Sequence, residues 1–206
     1  MLEVVQKLVL GDHVALFYRS KAEQLACMIP YIQIGLQRNE RCLYIADDNS
    51  VPMILRKLKE AGVDVNAAQD SGALRVVTKH ETYMRHGIFE PAKMINDLRR
   101  EVESSLAAGY TGLRASGEMT WTLDLPSALA RLMEYEANLH VEFPSQFIGL
   151  CQYDETRFSE QIISEMIQIH PKVIARGQLI EHNYHRPRWK PDAGRKLVRV
   201  DQLVNA

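Results

Sequence analysis

A chain of 206 residues is long enough for one sizeable core, whereas two full domains would each be small. Hydrophobic residues at 46% and charged residues at 25% match the globular average, which excludes a disordered or fibrous class for the body of the chain. The formal net charge is -1, and no apolar run approaches the ~18 residues that a membrane span requires, so no membrane partner is expected.

The opening segment MLEVVQKLVLGDH lacks the basic start and small-residue cleavage site of a secretory signal, and the expected location is the cytoplasm. His13-Val-Ala-Leu-Phe-Tyr18 is a short β-rich apolar run, and Ser20-Lys-Ala-Glu23 behind it is a capping box for a helix running to about Arg38. Arg41-Cys-Leu-Tyr-Ile-Ala46 is a second strand. It is closed by Asp47-Asp48-Asn49-Ser50, where a hydroxyl is positioned to cap a helix over 51–61 that stops at Gly62. Leu74–Thr78 predicts a third strand, followed by a helix from about Pro91 to Ala108 that stops at Gly109. A fourth strand is predicted at Thr111–Ser116 with a helix over 126–141, and a fifth at Gln146–Cys151 with a helix over 157–168.

Strands alternating with helices in this way imply a mainly parallel sheet covered on both faces, a three-layer αβα sandwich. Beyond His170-Pro171, Lys172–Tyr184 is a candidate for one more strand at an edge, and 186–206 reads as loose. Residues 182–206 hold Arg186, Arg188, Lys190, Arg195, Lys196 and Arg199 against only Asp192 and Asp201. The chain therefore divides into a domain at 1–181 and a basic tail or linker at 182–206.

Ligands of an open parallel sheet bind at the carboxyl ends of its strands, where loops splay apart and helix N-termini point inward. Candidate residues at those ends are Tyr18 and Arg19, Asp47 and Asp48, Thr78, Lys79 and His80, Glu118 and Trp121, and Gln152 to Asp154. A nucleoside triphosphatase of this architecture needs a Gly-rich loop, a Lys and a Ser/Thr after its first strand. The turn here reads Tyr18-Arg-Ser-Lys-Ala-Glu23 and no Gly-Lys-Ser/Thr occurs anywhere, which excludes ATP hydrolysis by that route. Arg19 and Lys21 at a helix start remain able to attract an anion. Glu118 can orient a water, hold a metal or accept a ligand hydroxyl beside the Trp121 ring; alternatively Trp121 packs on the core and Glu118 pairs with a basic neighbour such as Arg114, whose place in an apolar strand demands a carboxylate.

Other chemistries find less support. Cys27, Cys42 and Cys151 are odd in number, far apart and set in apolar segments, and read as buried thiols. His13 begins its strand and reads as a lone structural histidine; His80 and His86 flank the connection after the third strand. His182 and His185 have no cysteine or carboxylate cluster beside them, so no metal site is expected, and no cofactor. Glu136 and His140 share a helix face and are expected to pair. No Gly-x-Ser-x-Gly elbow is present, so no catalytic residue is assigned and the chain reads as a non-enzyme. The strip His182-Asn-Tyr-His-Arg-Pro-Arg-Trp-Lys190 interleaves basic and aromatic residues, but no nucleic-acid-reading motif accompanies it.

Several blocks in order carry a resemblance: Asp12–Tyr18, Arg38–Ala46, Arg114-Ala-Ser-Gly-Glu-Met-Thr-Trp121, Tyr135-Glu136, and Leu150-Cys-Gln-Tyr-Asp154 with His170-Pro171. Over about residues 10–180 the chain resembles the MEDS sensory domain of methanogens, methylotrophs and the dichloromethane-responsive repressor. The resemblance implies a RecA/KaiC-like fold with a degenerate phosphate loop and a role in sensing small organic molecules. The leading expectation is thus a non-catalytic regulatory domain whose ligand meets Tyr18, Arg19, Asp47, His80, Glu118 and Trp121. Two alternatives stay open: a protein-interaction module on an ATPase scaffold, and a nucleotide binder lacking the standard loop. Expected partners are a small molecule, a regulatory protein and a second copy of the chain, without nucleic acid.

Overall fold

The computed structural model describes residues 1–85, 87–143, 145–183 and 197–205, excepting the side chains of 126, 127 and 140–142. The apolar run His13–Tyr18 forms β1 and is buried along its whole length. Ala15 and Phe17 point into one apolar cluster, while Val14, Leu16 and Tyr18 point into the other. Such burial on both faces, with side chains alternating at period two, is what a central parallel strand requires.

The other strands are β2 (Arg41–Ala46), β3 (Leu74–Thr78), β4 (Leu113–Glu118), β5 (Phe147–Asp154), β6 (Lys172–Ala175) and β7 (Gln178–Glu181). They form one sheet in the order β3-β2-β4-β5-β1-β6-β7. Every neighbouring pair is parallel except β6 with β7. Helices α1 (Leu2–Gln6), α2 (Lys21–Gln37), α3 (Val51–Glu60) and α4 (Val65–Asp70) pack on one face. On the other lie α5 (Pro91–Ala107), α6 (Pro126–Glu142), α7 (Glu160–Ile169) and α8 (Val200–Val204). The architecture is the expected three-layer αβα sandwich.

Several boundaries differ from the sequence expectation, each for a physical reason. The fourth strand starts at Leu113 and runs on through Gly117 and Glu118, because its backbone stays paired with β5 up to Glu118 opposite Gln152. Glycine at 117 is required there, since a Cβ would stand 2.1 Å from the Tyr83 hydroxyl. The single edge strand expected at 172–184 is a hairpin of β6 and β7. Arg176 and Gly177 both take positive φ (50° and 74°) at its tip, the backbone of a tight two-residue turn. Ser50 precedes α3 without a hydroxyl cap bond. The last residues are not a loose tail: Val198, Val200 and Leu203 are buried, and the Val198 N–H donates to Ser164 Oγ at 2.8 Å, docking 197–205 on α7. Helices as short as α1, α4 and α8 carry too little periodicity to be read from sequence. His86, His185 and the basic residues between 186 and 196 lie outside the described residues.

Candidate functional site

The chain leaves β2 toward α3 on one face of the sheet, and leaves β3 and β4 toward α5 and α6 on the other. Where successive loops diverge like this, a crevice opens at the carboxyl ends of the strands. Glu118, fully buried at the end of β4, closes the gap between β4 and β2. Its Oε1 accepts from the Tyr44 hydroxyl at 2.5 Å and from Asn49 Nδ2 at 2.7 Å. Its Oε2 accepts from the backbone N–H groups of Asp47 and Asn49, both at 3.0 Å. Both carboxylate oxygens are thereby satisfied, and the loop after β2 is fastened to β4. Burial pushes the Tyr44 hydroxyl well above its ordinary range and the Glu118 charge adds to this, so it remains a donor.

The polar chain continues inward. Asn49 Nδ2 also donates to Gln24 Oε1 at 2.9 Å, Gln24 Nε2 to Gln152 Oε1 at 2.9 Å, and Gln152 Nε2 to Ser116 Oγ at 2.8 Å. Ser116 Oγ donates to the Leu150 carbonyl at 3.0 Å, which ends the series on the backbone of β5. Linked in this way, with Asn49 Oδ1 the member left without a partner among the described residues, the buried groups hold the strand ends in one arrangement.

Beside this network lies an open cleft of about 360 Å³ between the loops after β2 and β3, lined by Asp47, Asn49, Val51, Thr78, Lys79 and His80. Asp47 Oδ1 pairs with Lys79 Nζ at 2.6 Å, and its Oδ2 accepts from Thr120 Oγ1 at 2.7 Å. The wall carrying Lys79 and His80 is a single helical turn, Lys79–Glu81, closed by Glu81. Its carboxylate accepts from the Thr78 N–H and hydroxyl, both at 2.8 Å, and the backbone bond holds Glu81 below the usual carboxylate range.

Of the six residues expected to meet a ligand, Asp47 and His80 line the cleft, and Glu118 lies one layer beneath it. Trp121 does not reach it: the ring is buried, stacked on Tyr83 at 5.1 Å and edge-on to Phe89 at 4.8 Å. Of the two places open to it, the ligand edge and the core, the turn Thr120–Thr122 gives it the core. Tyr18 is buried against α2, and Arg19 is exposed beyond it. Neither lines the cleft.

Only Arg19 and Ser20 separate β1 from α2. Glu23 turns back so that its Oε2 accepts from the Arg19 N–H at 2.8 Å, while the Glu23 N–H donates to Ser20 Oγ at 3.2 Å. This helix start thus supplies its own anion. Arg114 does find the carboxylate its burial demands, but it is Glu40 at the opposite end of β4, not Glu118. The guanidinium carbon stands 4.5 Å from the Tyr31 ring centre.

Sequence reasoning missed a second buried polar group. His13 is not alone: its Nε2 stands 2.9 Å from Glu136 Oε2, and Cys151 Sγ and His170 Nε2 lie 3.2 Å and 3.4 Å from the same oxygen. The Tyr153 hydroxyl donates to Glu136 Oε1 at 2.6 Å. Burial opposes the Glu136 charge, but the contacts with His13 and His170 outweigh it and hold the carboxyl well below its usual range. These residues come from β1, α6, β5 and the end of α7, so no short spacing announces them. The pairing expected between Glu136 and His140 falls on a side chain outside the described residues.

A mostly parallel seven-stranded sheet with helices on both faces is the RecA/KaiC-like class of fold. A crystal structure of a KaiC-like protein from the hyperthermophilic archaeon Pyrococcus horikoshii superposes with a TM-score of 0.56 at 13% identity, over 80% of this chain and 70% of that one. That likeness is one of fold. The chain belongs to the family of the MEthanogen/methylotroph, DcmR Sensory domain, MEDS, whose profile matches residues 12–171. Its role is accordingly sensory. The search among curated proteins found no match. Among the described residues no helix is long and apolar enough to cross a membrane.

Proposed function

We propose that this chain is a non-catalytic sensory domain that takes a small organic molecule in the cleft between the loops after β2 and β3. The observation that carries this reading is the cleft itself, about 360 Å³ at a point where the chain diverges to opposite faces of the sheet. That volume lies at the lower end of ligand pockets and suits a molecule of few heavy atoms. Lys79 is partly exposed while its partner Asp47 is nearly buried. A ligand carboxylate or hydroxyl would compete for Lys79, releasing Asp47, whose loop is fastened through Glu118 to the centre of the sheet. A ligand can bias such a loop only by binding one of its arrangements better than the other. The two-residue turn between β1 and α2, already occupied by the Glu23 carboxylate, supports the absence of triphosphate chemistry.

The test is a panel of short carboxylic acids, alcohols and nucleotides, followed by amide chemical shifts and by melting temperature. We expect a saturable response from one acid or alcohol at residues 46–52 and 78–80, weakened by Lys79→Ala. Shifts confined to other regions, or no response to any compound, would remove the reading.

A further inference from the structure

We infer that His13, Glu136, Cys151 and His170 form a binding site for a divalent transition metal of borderline softness, Zn²⁺ being the best match. The inference is independent of the cleft described above, which shares none of these residues. All four are buried, and one ligand atom from each lies within 4.8 Å of all the others. Imidazole, thiolate and carboxylate are each donors that Zn²⁺ takes in tetrahedral sites.

The distances can be compared with a tetrahedron. Bonds of about 2.0–2.1 Å to nitrogen or oxygen and about 2.3 Å to sulfur give edges of about 3.3 Å between N/O atoms and about 3.6 Å from sulfur. Here His170 Nε2 to Glu136 Oε2 is 3.4 Å, and Cys151 Sγ to His13 Nε2 is 3.6 Å. Cys151 Sγ to Glu136 Oε2 is 3.2 Å and His13 Nε2 to Glu136 Oε2 is 2.9 Å. Along these four edges a metal enters with shifts of a few tenths of an ångström; the two edges from His170 Nε2 to the His13 and Cys151 ligand atoms lie within 4.8 Å and shorten by up to about 1.5 Å.

The surroundings orient the donors. His170 Nδ1 stands 2.8 Å from the Met166 carbonyl, an acceptor only, so Nδ1 donates there and Nε2 is the ring nitrogen aimed into the cluster. That nitrogen is buried, makes no hydrogen bond, and faces a carboxylate oxygen at 3.4 Å. A metal ion would bridge this nitrogen and that oxygen. The Tyr153 hydroxyl occupies Glu136 Oε1 and leaves Oε2 to the metal, the kind of outer contact that tunes ligands in metal sites. Binding converts the Cys151 thiol to a thiolate, its proton passing to solvent, and moves the proton between His13 Nε2 and Glu136 Oε2 to His13 Nδ1; no electron is transferred. With four protein donors the site is closed and ties β1, β5, α6 and the end of α7 to one point.

Because the cluster is buried, loading is tested by unfolding the full chain in denaturant with a chelator, then refolding it with Zn²⁺ or Co²⁺ present. We expect one metal per chain by elemental analysis, a raised melting temperature with Zn²⁺, and tetrahedral cobalt absorption with a thiolate-to-cobalt charge-transfer band. In Cys151→Ser the charge-transfer band disappears, and in His170→Asn affinity falls at least tenfold. Refolded wild-type chain that retains no metal, or that binds Co²⁺ without the charge-transfer band, overturns the proposal. Cys27 and Cys42 lie on the opposite face of the sheet, so the band should survive Cys27→Ala with Cys42→Ala, and its loss there would also overturn the proposal.

Discussion

Glu118→Gln changes almost no volume, yet it removes an acceptor from a carboxylate that receives bonds from Tyr44, Asp47 and Asn49. The amide nitrogen must take one of the two oxygen positions. In place of Oε2 it opposes the backbone N–H groups of Asp47 and Asn49, which have no way to turn into acceptors. In place of Oε1 the Tyr44 hydroxyl can rotate and accept, but Asn49 Nδ2 is committed to Gln24 Oε1 as well and cannot flip without breaking that bond. Either orientation leaves at least one buried donor unpaired and weakens charge-assisted bonds, a loss of about 3 kcal/mol. At roughly 2–4 °C per kcal/mol for a chain of this size, the melting temperature falls by about 6–12 °C. Hydrogen exchange supplies the local readout: the Asp47 and Asn49 amides lose protection while that of Ile45, inside β2, changes only with global stability. A variant that melts within ~2 °C of wild type and keeps both amides protected would refute the role given to Glu118.

Glu40→Ala leaves the Arg114 guanidinium buried without its carboxylate, and we expect a loss of about 3–5 kcal/mol in urea unfolding. The double variant Glu40→Leu with Arg114→Met should recover most of it, whereas a loss below ~1 kcal/mol for the single change would show that the pair does not matter. Burial pushes the Cys27 and Cys42 thiols up to about 12 from an ordinary value of 9.0. Above pH ~8.5 the unfolded chain ionises these thiols while the folded chain keeps them protonated, so stability present at lower pH is lost progressively as pH rises toward 12. Ellman's reagent at pH 8.5 should leave both sulfurs unmodified in the native protein and label them in urea; prompt native labelling of either one would contradict the burial.

The order of strands and helices was legible because fully buried parallel strands read as unbroken apolar runs and helix ends carry Pro, Gly and capping residues. Legibility fell where composition and structure disagree. Gly117-Glu118 looks like the exit from a strand ending at Ser116, and only pairing to β5 keeps both residues in the sheet. Arg114 was recognised as needing a carboxylate, but its neighbour in sequence terms, Glu118, lost to Glu40 because β4 places the two ends of the strand far apart. Asp47 and His80, picked out as strand-end residues, line the cleft between two loops, whereas Trp121, picked out by the same rule, has a large ring that gains more from burial against Tyr83 and Phe89 than from the rim.

The sequence by itself determined the layered α/β class, the loss of the triphosphate loop and the family, since each rests on local pattern or on ordered blocks of residues. Tertiary structure alone decided which polar groups meet: Glu118 with the loop after β2, and His13 with Glu136, Cys151 and His170. His13 and Glu136 stand 123 residues apart, a separation that leaves no periodic trace because it is set by the order in which strands join the sheet and by the faces their helices cover.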